Sequence, residues 1–482
     1  MNLTELFYNI DYESNFDFEG ISAHTITHNA NNIGEDTLLV LSSPSNRLPP
    51  TDTRIKAFIC SKENHNIPID LPVIYVDNPR LVYSLIAFRL SRVNCSTIDF
   101  IGVTGTNGKT TTATLIYEIM KFAGIKVGMI GTGKIIYMDQ VLTDSNYSMT
   151  TPDPDILYPA IKQMQDMGCE LVVMEVSSHA LVLEKVAPIR FKVSVFTSLS
   201  SEHMDFHHDM ESYYLTKLKL FEQSKNGIFN ADDTYSARAI IDCSSLCNVY
   251  SIAVMRDAEA MAKDVALHGL EGSEYIFRDK QHISRIKLHL AGFYNIYNSM
   301  LAIKCAIEYG IELHTIKNAV ESIRYIPGRF EIINSNPCII IDYAHTEAAF
   351  ENILKAISDI KAPGQKLFTV FGCGGDRDKE KRPRMARVAE KYSDKIIVTS
   401  DNPRNEDPSE IISDILEGLT APTKRDVIPD RKCAIEYAIN KAERNDIILI
   451  LGKGHEKYII DTTGFHFFDE KEICMHVLEQ RC

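Results

Sequence analysis

A glycine-rich loop is the segment of this 482-residue sequence that most strongly indicates chemistry. It reads Gly102-Val103-Thr104-Gly105-Thr106-Asn107-Gly108-Lys109-Thr110-Thr111 and lies between a predicted strand and a predicted helix. In such a loop backbone N–H groups and the helix N-terminus hold phosphates, a lysine reaches the terminal phosphates, and a threonine hydroxyl binds Mg²⁺. Val103 replaces the first glycine of a strict Walker A motif, so a chance glycine-rich turn is the alternative. The loop predicts an ATP site formed by Gly105, Thr106, Asn107, Gly108, Lys109, Thr110 and Thr111.

Glu175 is a second candidate, because it follows the apolar run Leu171-Val172-Val173-Met174. Parallel α/β sheets place their ligand groups at the carboxyl ends of the strands. Taken alone, such a glutamate is as often a structural cap as a ligand. Beside an ATP loop, a Mg²⁺-binding carboxylate is the favoured interpretation.

Three polar loops in the C-terminal third also follow predicted strands. They are Gly372–Asp378, Asp401-Asn402-Pro403-Arg404 and Gly452-Lys453-Gly454-His455-Glu456. Loops at one edge of a sheet converge on a crevice. There Arg377 and Arg404 would bind carboxylates, and Glu456 would bind an ammonium group. This combination suits an amino acid with a second amine and a second carboxylate.

Alternating strands and helices must position these groups. The apolar run of residues 98–103, the helical face of Leu115, Ile116, Ile119, Met120 and Ala123, and the run of residues 193–196 predict a doubly wound parallel sheet. A Pro-Gly pair at 327–328 predicts a hinge, followed by strands at 338–341, 367–371, 396–399 and 447–451. We predict an α/β protein of three domains: a small α/β domain at 1–94, a central P-loop ATPase domain at 95–327 and a Rossmann-like α/β domain at 328–482.

Composition excludes several classes of protein. Apolar residues make up 45% and the formal charge is −14, which opposes binding to nucleic acid or an anionic membrane. The N-terminus lacks the basic and apolar regions of a signal peptide, and no apolar run approaches a membrane span. Eleven irregularly spaced cysteines are typical of free thiols. We expect a cytoplasmic protein, and a monomer.

The loop Val103–Thr111 resembles the ATP loop of the Mur ligases and folylpolyglutamate synthetases. The resemblance spans roughly residues 98 to 460. It implies an acceptor domain, a central ATPase and a C-terminal domain that brings the amino acid.

The resemblance also implies further site residues. His203 would bind a second Mg²⁺ and Lys217, fourteen positions later, would be carbamylated, although Ser198 and Glu202 depart from the family pattern. The implied catalytic residues are Lys109, Glu175, His203 and Lys217, and the implied metal ligands are Thr110, Glu175, His203 and Lys217. Asn295 and Asn298 would contact adenine, and Arg329 and Asp342 would close the hinge over ATP; His345 nearby is a hinge residue or a core histidine. The remaining substrate residues would be Thr150, Thr151, Ser177, Lys185, Arg377, Asp401, Asn402, Pro403, Arg404, Gly452 and Glu456.

Within the family, Asp-Asn-Pro-Arg marks the members that add meso-diaminopimelate. The expected activity is therefore ATP-dependent joining of meso-diaminopimelate to a UDP-muramoyl dipeptide through an acyl phosphate, in peptidoglycan synthesis. His28 and Asn29 occupy the positions of a Ser-Arg pair that contacts UDP, and Leu183 and Lys185 replace a glutamine and an arginine. A related ligase with a different acceptor thus remains an alternative, as does a non-catalytic nucleotide-binding protein.

Overall fold

The computed structural model describes residues 1–17, 19–42, 52–63, 71–142, 149–333 and 336–481. Within these ranges the chain forms three largely parallel sheets, each with helices packed against it, and one separate hairpin. The α/β class predicted from the alternation of strands and helices is confirmed.

The first sheet lies within residues 1–94. Its strand order is β1-β5-β4-β3-β2, and only the β1–β5 pair is antiparallel. The elements are α1 (Leu3–Leu6), β1 (Glu13–Ser14), β2 (Thr25–Thr27), β3 (Thr37–Leu41), β4 (Ile55–Cys60), β5 (Val73–Tyr75) and α2 (Pro79–Ser91).

The second sheet has eleven strands and carries the glycine-rich loop. Its elements are β6 (Asp99–Thr104), α3 (Lys109–Phe122), β7 (Val127–Gly131), β8 (Lys134–Tyr137), β9 (Gln140–Val141), α4 (Pro154–Asp166), β10 (Leu171–Glu175), α5 (Ser178–Val182), β11 (Phe191–Phe196), α6 (Met204–His207), α7 (Met210–Glu222), β12 (Ser224–Asn230), α8 (Thr234–Asp242), β13 (Asn248–Ala253), β14 (Ala260–Leu267), β15 (Ser273–Arg278), β16 (Ile283–Leu288), α9 (Tyr294–Tyr309) and α10 (Leu313–Ser322).

The centre of strand β6, Phe100 to Val103, carries no polar side chain because both faces of the strand are covered. Ile101 and Val103 belong to the core beneath α3, α9 and α10, whereas Phe100 belongs to the core beneath α4 and α7. Side chains alternate between the faces of a strand, so a strand buried on both sides reads as one continuous apolar run. That double burial fixes β6 in the sheet and places Thr104, its last residue, at the edge where the loop begins.

The parallel part of this sheet has the order β14-β13-β12-β11-β6-β10-β7. Antiparallel strands extend both edges, β15 and β16 on one side and β8 and β9 on the other. The doubly wound parallel sheet is thus confirmed at its centre. The antiparallel extensions were not predicted.

The third sheet follows the Pro-Gly hinge and has the order β17-β18-β22-β19-β20-β21, with only β17 antiparallel. A separate hairpin, β23–β24, follows it along the chain. The elements are β17 (Glu331–Ile333), β18 (Cys338–Asp342), α11 (Glu347–Ile360), β19 (Leu367–Phe371), α12 (Lys381–Tyr392), β20 (Lys395–Val398), α13 (Pro408–Leu416), β21 (Arg425–Val427), α14 (Arg431–Lys441), β22 (Ile447–Leu451), β23 (Tyr458–Asp461), β24 (Gly464–Phe467) and α15 (Glu470–Arg481).

Two findings concern the chain as a whole. No helix in the described ranges is long and apolar enough to cross a membrane. All ten cysteines in those ranges are free thiols.

The hinge glycine, Gly328, generates a prediction about stability. Its φ is +67°, and an added Cβ would lie 2.1 Å from the backbone nitrogen of His455. Gly328→Ala should therefore lower the thermal unfolding midpoint by more than the left-handed backbone alone costs. Gly364→Ala is the matched control, because Gly364 has a φ of +86° with open space around it. We expect a loss of about 1 kcal/mol, or about 2–4 °C, for the control, and a clearly larger shift for Gly328→Ala in calorimetry. Equal shifts would contradict the close contact at Gly328.

Candidate active site

The glycine-rich loop turns sharply between β6 and α3, and two of its glycines are required by contact. Gly105 has a φ of +142°, and a Cβ there would lie 1.9 Å from Thr197 Oγ1. Gly108, the N-cap of α3, has a φ of +85°, and its Cβ would lie 2.5 Å from Asn298 Oδ1. The backbone can therefore approach its neighbours only without side chains at these two positions. Between them, Thr197 Oγ1 donates to the Asn107 carbonyl at 2.6 Å, which ties the loop to the end of β11.

Two lysine ammonium groups meet inside this loop. Lys109 Nζ donates to the carbonyl oxygens of Gly105 at 2.9 Å and Thr106 at 2.8 Å. Lys217 Nζ, on α7, donates to the same Gly105 oxygen at 3.0 Å and lies over the ring of Tyr213. Burial, with the nearby Lys109 charge, lowers the pKa of Lys217 well below its usual range. Burial also lowers the pKa of Lys109, against the opposing charge of Glu202. The site thus concentrates positive charge where a polyphosphate would supply the counter-charge.

Oxygen ligands for a cation lie beside the lysines. Thr110 Oγ1 donates to Glu175 Oε2 at 2.9 Å, and Glu175 Oε1 accepts from the Thr132 N–H at 3.2 Å. Gly131 permits this position, since a Cβ there would lie 2.3 Å from Glu175 Oε1. In the described ranges no three His, Cys, Asp or Glu side chains form a group that could hold a metal ion. Hydroxyl and carboxylate oxygens suit Mg²⁺, which commonly takes its other ligands from phosphate and water. Thr110 and Glu175 therefore fit a magnesium ion bound together with a nucleotide.

His203 lies on the other side of the loop and begins α6. Its Nε2 is 3.8 Å from Glu202 Oε2, and Glu202 Oε1 is 3.4 Å from His345 Nε2 in the C-terminal part. Burial lowers the pKa of His203 to about 3, so its imidazole is neutral and can act as a ligand. The pKa of Glu202 is held below its usual value by the hydrogen bond with His345 and by surrounding cations, although burial opposes this. Glu202, seen in the sequence only as a departure from the family pattern, thus joins two parts of the chain.

The residues predicted to contact adenine hold each other in place. Asn298 Nδ2 donates to Asn295 Oδ1 at 2.9 Å, and Asn295 Nδ2 donates to the Ala291 carbonyl at 2.7 Å. Both line the cavity described below. Their adenine contacts remain a prediction.

Arg329 and Asp342, the two residues predicted to close the hinge, make different contacts. Arg329 Nη2 donates to Thr110 Oγ1 at 2.8 Å, which joins the hinge to the glycine-rich loop. Asp342 accepts from the N–H groups of Phe330 and Ala344, each at 2.7 Å, and burial raises its pKa. Asp342 lines the cavity, and both of its carboxylate oxygens shape the hinge backbone.

The residues predicted to hold the acceptor gather near the end of β10. Thr151 Oγ1 donates to the Glu175 carbonyl at 2.9 Å and accepts from the Ser177 N–H at 3.1 Å. Thr150 Oγ1 accepts from Thr132 Oγ1 at 3.2 Å.

Lys185 makes a contact that the sequence did not indicate. Its Nζ, in a side chain only 5% exposed, lies 2.8 Å from Asp153 Oδ1, and His28 Nε2 lies 3.1 Å from Asp153 Oδ2. These cations hold the pKa of Asp153 at about 2 even though burial opposes ionisation, and the hydrogen bond with Asp153 raises the pKa of His28. Two of the residues that depart from the family pattern thus share one carboxylate.

The C-terminal loops converge as predicted. Asp401, Asn402, Arg404, Gly452 and Glu456 all line one cavity. Arg404 Nη1 donates to the carbonyls of Gly375 at 2.8 Å and Asn402 at 3.3 Å.

The other two predicted members of this pocket lie at its margin. Arg377 also lines the cavity but is more exposed, and its Nη1 donates to the Asp376 carbonyl at 3.0 Å. The Pro403 carbonyl lies so close to Gly375 that an added Cβ there would be only 1.9 Å from it.

Two residues of this pocket escaped the sequence analysis. Tyr343 donates to Glu456 Oε1 at 3.1 Å and carries the Arg329 guanidinium 4.4 Å above its ring. Lys453 is fully buried and donates to Asn402 Oδ1 at 2.7 Å. Lys453 belongs to the loop Gly452–Glu456 that the sequence analysis singled out, and Tyr343 lies between the predicted site residue Asp342 and His345, so these positions were the available signal. Their partners depend on tertiary contacts.

One cavity of about 850 Å³ connects the nucleotide end of the site with the amino-acid end. Among the predicted site residues, its described lining does not include Gly105, Thr151, Ser177, Lys185, Lys217 and Pro403. It is lined by the glycine-rich loop, Glu175, His203, the hinge and the C-terminal loops. A volume of this size accommodates a nucleotide with a second small molecule. The arrangement can bind a nucleoside triphosphate at one end and an amino acid with two charged ends at the other.

Comparisons with known proteins agree with this geometry. The model of the Mur ligase middle domain matches residues 103–306, and that of the Mur ligase glutamate ligase domain matches residues 328–454.

Several relatives carry the same printed name, UDP-N-acetylmuramoyl-L-alanyl-D-glutamate–2,6-diaminopimelate ligase. The protein of that name from Clostridium tetani is 38% identical over 87% of this chain and 85% of its own length. The one from Aquifex aeolicus is 41% identical over 80% of this chain and 79% of its own length.

Solved structures share the fold. A structure of a ligase with the same printed name has a TM-score of 0.66 and 24% identity, covering 100% of this chain and 99% of that one. Mycobacterium tuberculosis folylpolyglutamate synthase, solved with ADP and AMPPCP, has a TM-score of 0.64 and 16% identity, covering 77% of this chain and 92% of its own.

The position of Lys109 leads to a prediction about nucleotide binding. Lys109→Ala should weaken ATP binding about 10- to 100-fold, because it removes the ammonium that would face the terminal phosphates. Lys121→Ala, at the last turn of the same helix, is the control, since its ammonium pairs with Glu118 and Asp139 at 2.8 Å each. Isothermal titration with ATP measures both variants. Unchanged affinity in Lys109→Ala would contradict the proposed phosphate site.

Proposed function

The chain belongs to the Mur ligase family, and from this membership we propose that it joins meso-diaminopimelate to UDP-N-acetylmuramoyl-L-alanyl-D-glutamate. The reaction would consume ATP, form a carbon–nitrogen bond and serve peptidoglycan synthesis. The relatives of that name from Clostridium tetani and Aquifex aeolicus align with 87% and 80% of this chain at 38% and 41% identity.

A single observation supports this assignment most directly. The glycine-rich loop and the loops Asp401–Arg404 and Gly452–Glu456 open into the same cavity. A ligase needs this proximity, because the carboxylate activated at the phosphate end must meet an amine held at the other end. A protein that only bound a nucleotide would have no need of the second pocket.

The first step is activation of the acceptor carboxylate. One carboxylate oxygen attacks the γ-phosphorus of ATP, the bond to the β-phosphate oxygen breaks, and ADP and an acyl phosphate result. We propose that Lys109 and the loop N–H groups stabilise the charge on the transferred phosphoryl group. Since positioning and electrostatics supply the catalysis, a covalent protein nucleophile is unnecessary.

The second step joins the amine to the activated carbonyl. The amine nitrogen, after losing a proton, attacks the acyl carbon; the carbon–oxygen bond to phosphate then breaks and inorganic phosphate leaves. We propose that Glu456 and Asp401 hold ammonium groups of the amino acid and that Arg404 and Arg377 bind its carboxylates. Contacts between the domains, such as the hydrogen bond from Arg329 to Thr110, would exclude water from the acyl phosphate.

Magnesium and a modified lysine complete the proposal. Thr110, Glu175 and His203 would hold Mg²⁺, which when bound neutralises phosphate charge. The depressed pKa of Lys217 leaves more of its amine uncharged and able to react with CO₂, and a carbamate there would replace a cation by an anion. Cytoplasmic location and a monomeric state remain predictions.

The acceptor needs its own test, because Lys185 and His28 both pair with Asp153. We would measure phosphate release with ATP, meso-diaminopimelate and a panel of acceptors that includes the UDP-muramoyl dipeptide and folate-like acids. The UDP-muramoyl dipeptide should give the highest kcat/KM. Preference for another acceptor would favour the related-ligase alternative, and no release with any acceptor would favour the non-catalytic one.

Lys217→Ala should be nearly inactive and should regain part of its activity with a short carboxylate such as acetate. The reason is that the site would need an anion where the carbamate stood. Lys219→Ala is the control on the same helix, with an ammonium that is half exposed and 3.8 Å from Glu184. Initial rates with and without acetate measure the effect. Mass spectrometry that finds Lys217 unmodified in the active, nucleotide-bound enzyme would contradict the prediction.

Arg404→Ala should remove most of the preference for meso-diaminopimelate over lysine. Lysine lacks the second carboxylate and would leave a guanidinium without its partner, so we expect wild-type discrimination on the order of 10²-fold or more. The variant should lose efficiency with meso-diaminopimelate while its KM for ATP changes little.

A matched variant separates charge from geometry at this position. Arg404→Lys keeps the charge but loses the planar fork that binds a carboxylate with two hydrogen bonds. Steady-state kinetics with both amino acids should place it between wild type and Arg404→Ala. Comparable use of lysine by the wild-type enzyme would contradict the diaminopimelate assignment.

A further inference from the structure

Behind the amino-acid pocket lies a buried lysine to which no role has been assigned so far. Lys453 follows β22 and is fully buried. The described residues that line the cavity include Asn402 and Glu456 but not Lys453. Burying an ammonium group lowers the stability of the fold unless the group is paired. A fully buried lysine beside the pocket therefore calls for an explanation.

The Lys453 ammonium determines which way the Asn402 amide points. Asn402 Oδ1 accepts from Lys453 Nζ at 2.7 Å and from the Ile460 N–H at 3.0 Å. Both of these groups are donors, so the oxygen must face them and the amide nitrogen must face the cavity side. Asn402 Nδ2 accordingly donates to Glu456 Oε2 at 3.0 Å.

The Glu456 carboxylate is thereby held at both oxygens. Oε1 accepts from the Tyr343 hydroxyl at 3.1 Å, and Oε2 accepts from Asn402. Lys453 Nζ lies 3.8 Å from Oε2, too far for a direct hydrogen bond. The lysine therefore acts on Glu456 mainly through the Asn402 amide.

Lys453 also lies close to the negative charge of Asp401 in the amino-acid pocket. Its Nζ is 3.5 Å from Asp401 Oδ1, and Arg431 Nη1 is 4.0 Å from Asp401 Oδ2. Arg431 is mainly engaged elsewhere, since its Nη2 lies 2.6 Å from Glu470 Oε1. Lys453 is consequently the closest cation to Asp401 among the described residues.

We infer that Lys453 is a positioning residue for the amino-acid substrate: by fixing the Asn402 amide it holds Glu456 ready for the substrate ammonium. This inference rests on the proposed function, because it deepens the role of the same pocket. Lys453 itself would touch no substrate atom.

The test compares KM values. Lys453→Met should raise the KM for meso-diaminopimelate about tenfold or more, since the Asn402 amide then loses its charged donor and is held toward Glu456 less firmly. The KM for ATP should stay within about twofold. KM does not depend on the fraction of folded enzyme, so partial unfolding cannot imitate this result. Lys457→Met is the matched control, because that lysine is 68% exposed and pairs with Asp469 at 2.9 Å.

A double-mutant cycle shows whether Lys453 acts through Asn402. If it does, Lys453→Met combined with Asn402→Ala should have the same KM for the amino acid as Asn402→Ala alone. An additive rise would overturn the inference. So would an unchanged KM in Lys453→Met, or an equal rise in the KM values of ATP and amino acid.

The pH profile supplies a readout that a purely structural role would not move. The Lys453 charge, followed by those of Arg431 and Arg404, lowers the pKa of Asp401 against the effect of burial, and Glu470 is the nearby anion. Without Lys453 that pKa rises, so Asp401 becomes protonated at a higher pH. The acid limb of kcat/KM for the amino acid should therefore move upward in Lys453→Met, and an unmoved limb would count against the inference.

Two further measurements cover the cases in which Lys453→Met does not fold or the amino-acid substrate is a different one. If Lys453→Met yields no folded protein, Lys453→Gln replaces it. Glutamine removes the charge, so the same pH shift is expected, but it retains an N–H donor for Asn402 Oδ1, so the KM for the amino acid should rise by less than about tenfold. An unmoved acid limb in Lys453→Gln would overturn the inference. If the wild-type enzyme prefers another amino acid, the proposed substrate is wrong, and the Lys453 comparison is made with that amino acid instead.

Discussion

Two ammonium groups on one carbonyl oxygen form the contact on which the rest of the site depends. Lys109 and Lys217 both donate to the oxygen of Gly105, at 2.9 and 3.0 Å. Like charges this close in a buried loop repel unless anions surround them or one amine is modified. The polyphosphate that the loop can bind, the nearby Glu202 and a carbamate on Lys217 would each relieve that repulsion. The two buried amines thus favour an anion at this centre.

Polar contacts hold the C-terminal part against the same loop. Glu202 faces His345, Arg329 donates to Thr110, and Thr346 Oγ1 donates to Asn107 Oδ1 at 3.4 Å. Each of these contacts ends on the glycine-rich loop or on the loop that follows β11. The loop predicted to bind phosphate is therefore also the part of the central sheet that contacts the C-terminal part. If that loop binds a nucleotide, these shared contacts would couple nucleotide binding to closure.

The N-terminal part contacts the central part through a shared carboxylate. His28 and Lys185 come from separate regions of the sequence and pair with the same carboxylate, that of Asp153. Thr27 Oγ1 donates to the neighbouring Asp155 at 2.8 Å. In a partly buried site the Asp153 carboxylate is stabilised by both partners, whereas removing Lys185 would leave its charge poorly compensated. His28 and Lys185, two of the residues that depart from the family pattern, therefore form one connected contact between the two parts.

The sequence alone determined the parallel sheets and the edges at which ligands can bind. Doubly buried strands read as apolar runs, and the glycine-rich and Asp-Asn-Pro-Arg loops follow them directly. It did not predict the antiparallel strands β8, β9, β15 and β16. β15 and β16 alternate between buried and more exposed residues, β9 is exposed and β8 has only four residues, so none gives a long continuous apolar signal. Contacts between distant residues, such as Lys453 with Asn402 and Lys185 with Asp153, also depended on the tertiary structure. Spacing along the chain identifies which groups reach a sheet edge, but the partner of a buried charge is decided by which elements pack against it.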